Sequence, residues 1–547
     1  MPKLDFSEKR ILIIDDQRPF LALLKGVLGS AGAKSIVATH SCESALTFCR
    51  KEKFDFIICD LHLGGNKKNG FEFLEEVRQR RLIHPATVFM IVSADAQRPM
   101  VLGSLEKQPD EYVVKPFSQA QLVLRLDKAY QRKLALAPVY TEMFADNYPA
   151  AIKQCKAIID GDSRYQEVCG RLLAELYWHC GQYQAAQQWL DSYAENTTRT
   201  WLTVAKAQTA LYLQHYPQAI ELANLALKKN NLLVEALDIL AQAWFALDNQ
   251  VETEAAITRA IKMSPLSFER HLKACTYARK NGQLDKIIHY SQTIWECSKR
   301  SVHRDLSHLC SHIRSFLDVA EECQEERQRL RYQQEALYTL QRYRHAETLL
   351  RSDDEFDFDI FEALVKARID FQNGKLFSAK QNLTLAQSTI QTRVDSPPFT
   401  LLPDSIANLL DLGEFEDAES LNKILAKSSK ILDDNTSARL QQATRKNAVQ
   451  KESFQKYNKE GIALYSEGKF DAAYEAFTTA QSFAPVNVGI TLNLLQCSIR
   501  LLQKTKKPDS ALLASSRKIY RQLANTTMLA KHQEKLNALS ADMQEYL

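Results

Sequence analysis

The sequence predicts two structural classes in one chain: a doubly wound α/β domain over residues 8–132, then an all-α helical solenoid over the rest. Three observations carry this reading. Short apolar runs alternate with amphipathic segments in the first 130 residues. A period near 34 residues recurs further on, the spacing of stacked helical pairs. Gly (16) and Pro (15) are sparse among 547 residues, whereas an all-β chain needs turn residues often.

The α/β elements follow in order. Arg10–Asp16 (RILIIDD) is an apolar run closed by two acids, and Lys34–His40, Phe54–Asp60 (FDFIICD), Ala86–Ser93 (ATVFMIVS) and Glu111–Lys115 (EYVVK) are runs of similar length. Runs this apolar suit strands buried on both faces of a parallel sheet. The segments between them carry helical spacing, as in Phe20, Leu23, Leu24, Val27 and Leu28. Such folds place their site beyond the carboxyl ends of the strands. Asp15, Asp16 and Asp60 then converge at one edge, with Ser93 and Lys115 ending neighbouring strands. Three carboxylates together repel unless a hard cation neutralises them, and oxygen ligands suit Mg²⁺. Acids, a divalent cation, an ammonium and a hydroxyl suit phosphoryl transfer, with Asp60 as nucleophile.

At these five positions the segment resembles the CheY-like receiver domain of two-component response regulators, a flavodoxin-like fold. The resemblance implies that Asp60 is the phosphoacceptor for a sensor histidine kinase or phosphotransfer protein. It implies that Asp15, Asp16, Asp60 and the backbone carbonyl of His62 hold Mg²⁺. Ser93 becomes the switch hydroxyl, Lys115 the phosphate-contacting cation in a Lys-Pro-Phe motif whose Lys-Pro bond is commonly cis, and Tyr112 the switching aromatic. The loop from Asp60 to Gly70 departs from the family: it lacks the usual proline, is two residues longer, and carries Lys67 and Lys68. His62 and Asp95 lie where the family tunes dephosphorylation.

The 34-residue period is fixed by Ala207, Ala226, Ala241 and Ala260. The unit near Val234 carries Leu237, Leu240, Ala241, Trp244, Ile257, Ala260 and Pro265. A second strong unit carries Gly461, Leu464, Gly468, Phe470, Ala473, Phe477, Ala480 and Pro485. Weaker units show Tyr148/Ala151, Tyr183/Ala186, Tyr216/Ala219, Leu376/Ala379 and Phe415/Ala418. Small residues let paired helices approach and the larger residue fills the gap to the next pair. These features resemble tetratricopeptide (TPR) repeats over 137–300 and 359–505. A charged helical or irregular connector is expected over 301–358, with Glu321–Gln334 as one solvated helix, and capping helices over 506–547. Ser352–Asp359 and Thr392–Asp404 read as interruptions.

Composition narrows the function. Basic and acidic residues nearly balance, 19 against 16 in the first 130 residues and 51 against 50 in the remainder, so no nucleic-acid footprint is evident and DNA binding is not expected. Eleven scattered cysteines without a C-x-x-C pair read as reduced thiols. The N-terminus lacks a signal-peptide core and no apolar run nears membrane-spanning length, which predicts a cytoplasmic protein without membrane insertion. His308 and His312, with His303 and Cys310 nearby, lack a complete zinc set and read as solvated histidines. The string His303–Leu306 (HRDL) stands without any other kinase motif. The acids Asp353, Asp354, Glu355, Asp357 and Asp359 lack the glycine and final glutamate of a calcium loop. The combination predicts a non-enzymatic phosphorelay response regulator whose repeats bind a protein in their groove, with receiver-mediated homodimerisation as a further contact. A phosphate sink or kinase antagonist, an RNA-binding array, or an enzyme within 296–450 are the alternatives.

Overall fold

The five apolar runs form five parallel strands: β1 (Arg10–Ile14), β2 (Ser35–Thr39), β3 (Phe56–Asp60), β4 (Val88–Ser93) and β5 (Glu111–Val114), in the order β2-β1-β3-β4-β5. This computed structural model describes residues 4–64, 67–94, 108–161, 163–193, 199–344, 356–393, 397–430, 432–504, 510–525 and 528–546. Alternate residues of each strand feed two separate cores, as the pleat requires. Leu12, Ile14, Ile57, Cys59, Phe89 and Ile91 pack under α2 (Cys42–Lys51) and α3 (Gly70–Gln79). Ile11, Ile13, Phe56, Ile58, Val88 and Met90 pack under α1 (Arg18–Ser30) and α4 (Gln119–Phe144). On α1 the buried face is Leu21, Leu24 and Leu28, while Leu23 points to solvent. The predicted helical spacing is therefore right in period and off by part of a turn in phase.

Helix α4 does not stop where the sheet does. Leu122, Leu126 and Ala129 pack in the α/β core. Nearly three turns later Val139 packs in the next core, against Ala151, Cys155 and Leu173. Pro138 lies inside the helix and removes one rung of its hydrogen-bond ladder without ending it.

Helices follow in a solenoid-like succession. They are α5 (Tyr148–Asp160), α6 (Gln166–His179), α7 (Tyr183–Asp191), α8 (Thr200–Tyr212), α9 (Tyr216–Lys229), α10 (Val234–Ala246), α11 (Gln250–Met263), α12 (Phe268–Lys280) and α13 (Leu284–Ser298). Then come α14 (Leu306–Glu322), α15 (Glu326–Arg344), α16 (Phe358–Gln372), α17 (Leu376–Arg393), α18 (Leu402–Asp411) and α19 (Phe415–Lys427). The last are α20 (Asp434–Ser466), α21 (Phe470–Phe483), α22 (Val488–Lys504), α23 (Ser510–Ala524) and α24 (Ala530–Met543). Tyr148, Tyr183, Tyr216, Leu376, Phe415 and Phe470 are each the first residue of a helix, and the alanine three residues on is fully buried every time. The turn before is also repeated: Asp146, Gly181, Gln214, Gly374, Gly413 and Gly468 stand two residues ahead in the left-handed region.

The chain divides into two compact bodies, Met1–Gly282 with Gln292–Asp305, and Gln283–Ser291 with Leu306–Leu547. In the second body the expected single helix over Glu321–Gln334 is two helices, because the chain breaks at Cys323–Glu325. Glu321 stays exposed to solvent and also ion-pairs with Arg368, Arg439 and Lys446. His312 is also buried, with Nδ1 at 3.1 Å from the Ser291 hydroxyl, rather than a solvated histidine. Helix α20 begins at Asp434, far ahead of Gly461, the first residue of the second strong unit, since residues 436–456 hold good helix formers without Gly or Pro and Asp433 caps the Thr436 amide. The acids Asp353, Asp354 and Glu355 lie outside the described residues.

Candidate functional site

The carboxyl ends of β1 and β3 bring three acids together. Asp15 follows β1 and is held by its backbone amide, which donates to the Thr39 carbonyl at 3.2 Å. Its own Oδ1 accepts from the Gln17 amide at 2.8 Å. Asp60 ends β3 beside Val92 of β4. Asp16 is exposed at the rim, while Asp15 and Asp60 are buried. Ligand atoms of Asp15, Asp16 and Asp60 lie within 4.8 Å of one another. Among the described residues this is the one group of three or more such side chains with metal-binding geometry. Hard oxygen donors in this number, open on one side, fit Mg²⁺, which keeps several waters of its own.

Lys115, the residue after β5, bridges two of the acids: its Nζ stands 2.9 Å from Asp15 Oδ2 and 3.0 Å from Asp60 Oδ2. The Lys115–Pro116 peptide is cis. The ammonium also lies 3.7 Å from the ring centroid of Phe20, which meets Phe117 edge-on. Burial pushes the Asp60 carboxyl above its ordinary range, Lys115 pulls it back, and Asp15 adds repulsion. Ser93 ends β4 fully buried, and its carbonyl accepts from the Lys115 amide at 2.8 Å. Tyr112 lies half-buried on β5 against the α2–α3 core. The His62 amide points at Asp60 Oδ1, 3.5 Å away. Asp95 lies outside the described residues.

The end of the loop at Gly70 closes tightly on the site. The Gly70 amide donates to the Leu61 carbonyl at 3.0 Å, and a Cβ on Gly70 would stand 2.7 Å from the Asp60 carbonyl oxygen. Only glycine fits this approach. Asn69 caps α3 by accepting from the Phe71 and Glu72 amides at 2.9 Å, and Glu72 answers with a 2.8 Å bond to the Asn69 amide. Lys68 turns inward to pair with Glu76, which also holds Arg80 at 3.1 Å.

Residues 11–127 match the family model described as the response regulator receiver domain. The N-terminal domain is a receiver domain. Over 144 residues the chain is 34% identical to the alkaline phosphatase synthesis transcriptional regulatory protein PhoP of Bacillus subtilis (strain 168), covering 26% of this chain and 57% of that protein. It is 29% identical over 123 residues to the chemotaxis protein CheY-3 of Vibrio cholerae, covering 22% of this chain and 92% of that protein. A solved CheY-like receiver domain protein from Methanospirillum hungatei JF-1 is 25% identical, with a TM-score of 0.21, over 23% of this chain and 95% of that one. The chain spans about half the length of the curated transcriptional regulators it matches.

Asp15, Asp16, Asp60, Ser93 and Lys115 lie at this strand-end edge with His62 just beyond β3, while Tyr112 lies inside β5. Sequence reasoning missed Phe20 beneath the lysine and the Lys68–Glu76 pair. It also missed Glu75 on the outer face of α3 and Arg81 just past its end, which bind residues of the helical part. Phe20 carried a faint signal, since it follows the acidic pair by four residues and lies in the first turn of α1.

Proposed function

We propose that this protein is a phosphorelay response regulator whose receiver controls protein binding by TPR-type repeats. The observation that carries the reading is the bridging of Asp15 and Asp60 by Lys115 in a three-carboxylate cluster. Asp60 Oδ attacks the phosphorus of a phosphohistidine on a sensor kinase or phosphotransfer protein. The N–P bond breaks, its electron pair stays on the imidazole, and an acyl phosphate forms on Asp60. Asp15, Asp16, Asp60 and the His62 carbonyl would hold Mg²⁺, which, when bound, offsets negative charge on the transferring group.

The new phosphoryl oxygens compete with Asp15 for the Lys115 ammonium and attract the Ser93 hydroxyl. Both side chains sit at the ends of adjacent strands, so the pull repacks β4, β5 and the half-buried Tyr112. Hydrolysis reverses the state: water attacks phosphorus and the Asp60 carboxylate leaves. The repeat helices, with small residues at each close approach, would present a groove to a partner protein in the cytoplasm. Pairing of two receivers is a second contact in the same reading. No helix among the described residues is long and apolar enough to cross a membrane.

The direct test is labelling of the full chain with radioactive acetyl phosphate and Mg²⁺. Wild type should take up acid-stable, base-labile label, and Asp60→Asn should take up none. Equal labelling of the variant would overturn the assignment of Asp60.

A further inference from the structure

We infer that α3 is the receiver's output face, and that its partner is this chain's own helical part, at residues 144–146, 268–282 and 299–303. The inference deepens the proposed function and rests on Asp60 being the phosphoacceptor. Its basis is that α3 is tied to Asp60 at one end and to the repeats along its outer surface.

The inner tie is steric and polar. Gly70, the first residue of α3, packs on the Asp60 carbonyl with no space for a methyl group, and its amide bonds to Leu61 at 3.0 Å. The Asn69–Glu72 capping box and the buried Lys68–Glu76 pair fasten residues 68 and 69 to the first two turns of the helix. A shift of the β3 end therefore moves α3 rather than being absorbed by the loop.

The outer tie lies on the opposite side of the same helix. Glu75 Oε1 is 2.8 Å from His303 Nε2, across 228 residues of sequence. The His303 imidazole is stacked on Phe268, with centroids 4.6 Å apart and planes 9° from parallel. Phe268 opens α12, whose Arg270 grips Asp238 of α10 with two bonds of 2.8 and 2.7 Å. Arg81, just past α3, donates to both carboxylate oxygens of Asp146 at 2.6 Å and to the Phe144 carbonyl at 3.0 Å. A cavity of about 560 Å³ remains between Glu75, Arg78, Asp238, Phe268, Arg270 and His303. Polar contacts beside such a cavity are wet and weak, so the joint is a releasable latch.

The latch is formed in the arrangement where Lys115 holds both Asp15 and Asp60, and we take it to be tighter there than when Asp60 is occupied. Linkage requires the converse: occupation of Asp60 weakens the latch, and breaking the latch eases phosphorylation. Residues 268–280 and 299–305 are then released to a partner.

The experiment combines hydrogen–deuterium exchange and acetyl phosphate labelling on the full chain, using beryllofluoride with Mg²⁺ as the phosphoryl mimic. In wild type, beryllofluoride should raise exchange at 268–280 and 299–305. Glu75→Gln with Arg81→Ala should show that raised exchange without beryllofluoride, and should label at least about fivefold faster. Asp146→Asn supplies an independent break from the repeat side and should give the same direction. Labelling and beryllofluoride protection at 56–61 with no change at 268–280 or 299–305 would overturn the latch while leaving Asp60 as phosphoacceptor. No labelling and no protection at 56–61 would overturn both.

Discussion

Lys115 answers for the charge of two buried carboxylates, and its own charge is steadied by the face of Phe20. Removing it leaves Asp15 and Asp60 facing each other in a low-dielectric edge with no counter-charge. Lys115→Ala should therefore destabilise the receiver by about 1–3 kcal/mol in EDTA. Saturating Mg²⁺ should recover more stability for the variant than for wild type. Thermal melts with and without the metal check this, and equal metal effects on the two proteins would count against it. In the proposed relay the lysine would read the phosphoryl group rather than form the bond, so signalling output should suffer more than labelling. The acids, Ser93 and Lys115 were legible in the sequence because each ends an apolar strand, and parallel strands bring such ends together. Phe20 was not, since its ring reaches the lysine only through the phase of α1. Glu75 and His303 were illegible for a different reason: no local pattern links residues 228 positions apart.

Among the helices, close approach is set by residues without bulk. Gly461 of α20 faces the Phe477 ring of α21, and a Cβ there would stand 2.5 Å from two ring carbons. Phe477 is nearly fully buried and has no room to retreat. Gly461→Ala should cost roughly 1–3 kcal/mol of stability, measured as a lowered denaturation midpoint with the secondary structure unchanged. A neutral outcome would mean that this helix pair packs more loosely than described. The helix starts were readable because a large residue followed by alanine marks them. The helix lengths were not: α20 extends far upstream because helix propensity carried it there with no breaker, and α14 ends at a short break the charge pattern concealed.

At the scale of the molecule, charge in the second body is organised around Glu321. Burial alone would raise its carboxyl; Arg368, Lys446 and Arg439 outweigh it and hold the group at about 2, against 4.5 for a free side chain. A depressed carboxyl stabilises the fold fully above pH 4.5 and loses that contribution as pH falls through about 2. Acid unfolding of the full chain should therefore include a transition between these values. Glu321→Gln should lower stability at neutral pH and flatten the curve across that window. An unchanged acid limb would show that the three cations do not act on this group. Arg368 keeps two buried nitrogens without a hydrogen-bond partner, so it depends on Asp318 and Glu321 for all its compensation.

One helix also sets how the receiver faces the repeats beside it. Because α4 runs unbroken from Leu122 in one core to Val139 in the next, the angle between them is carried by helical phase. Adding a single residue between Ala129 and Leu136 would swing the neighbouring hairpins by about 100° and push them about 1.5 Å along the axis. Arg81 would then lose Asp146 altogether. Such a chain would keep each core and lose their alignment, so the joint tolerates substitution far better than any change in length.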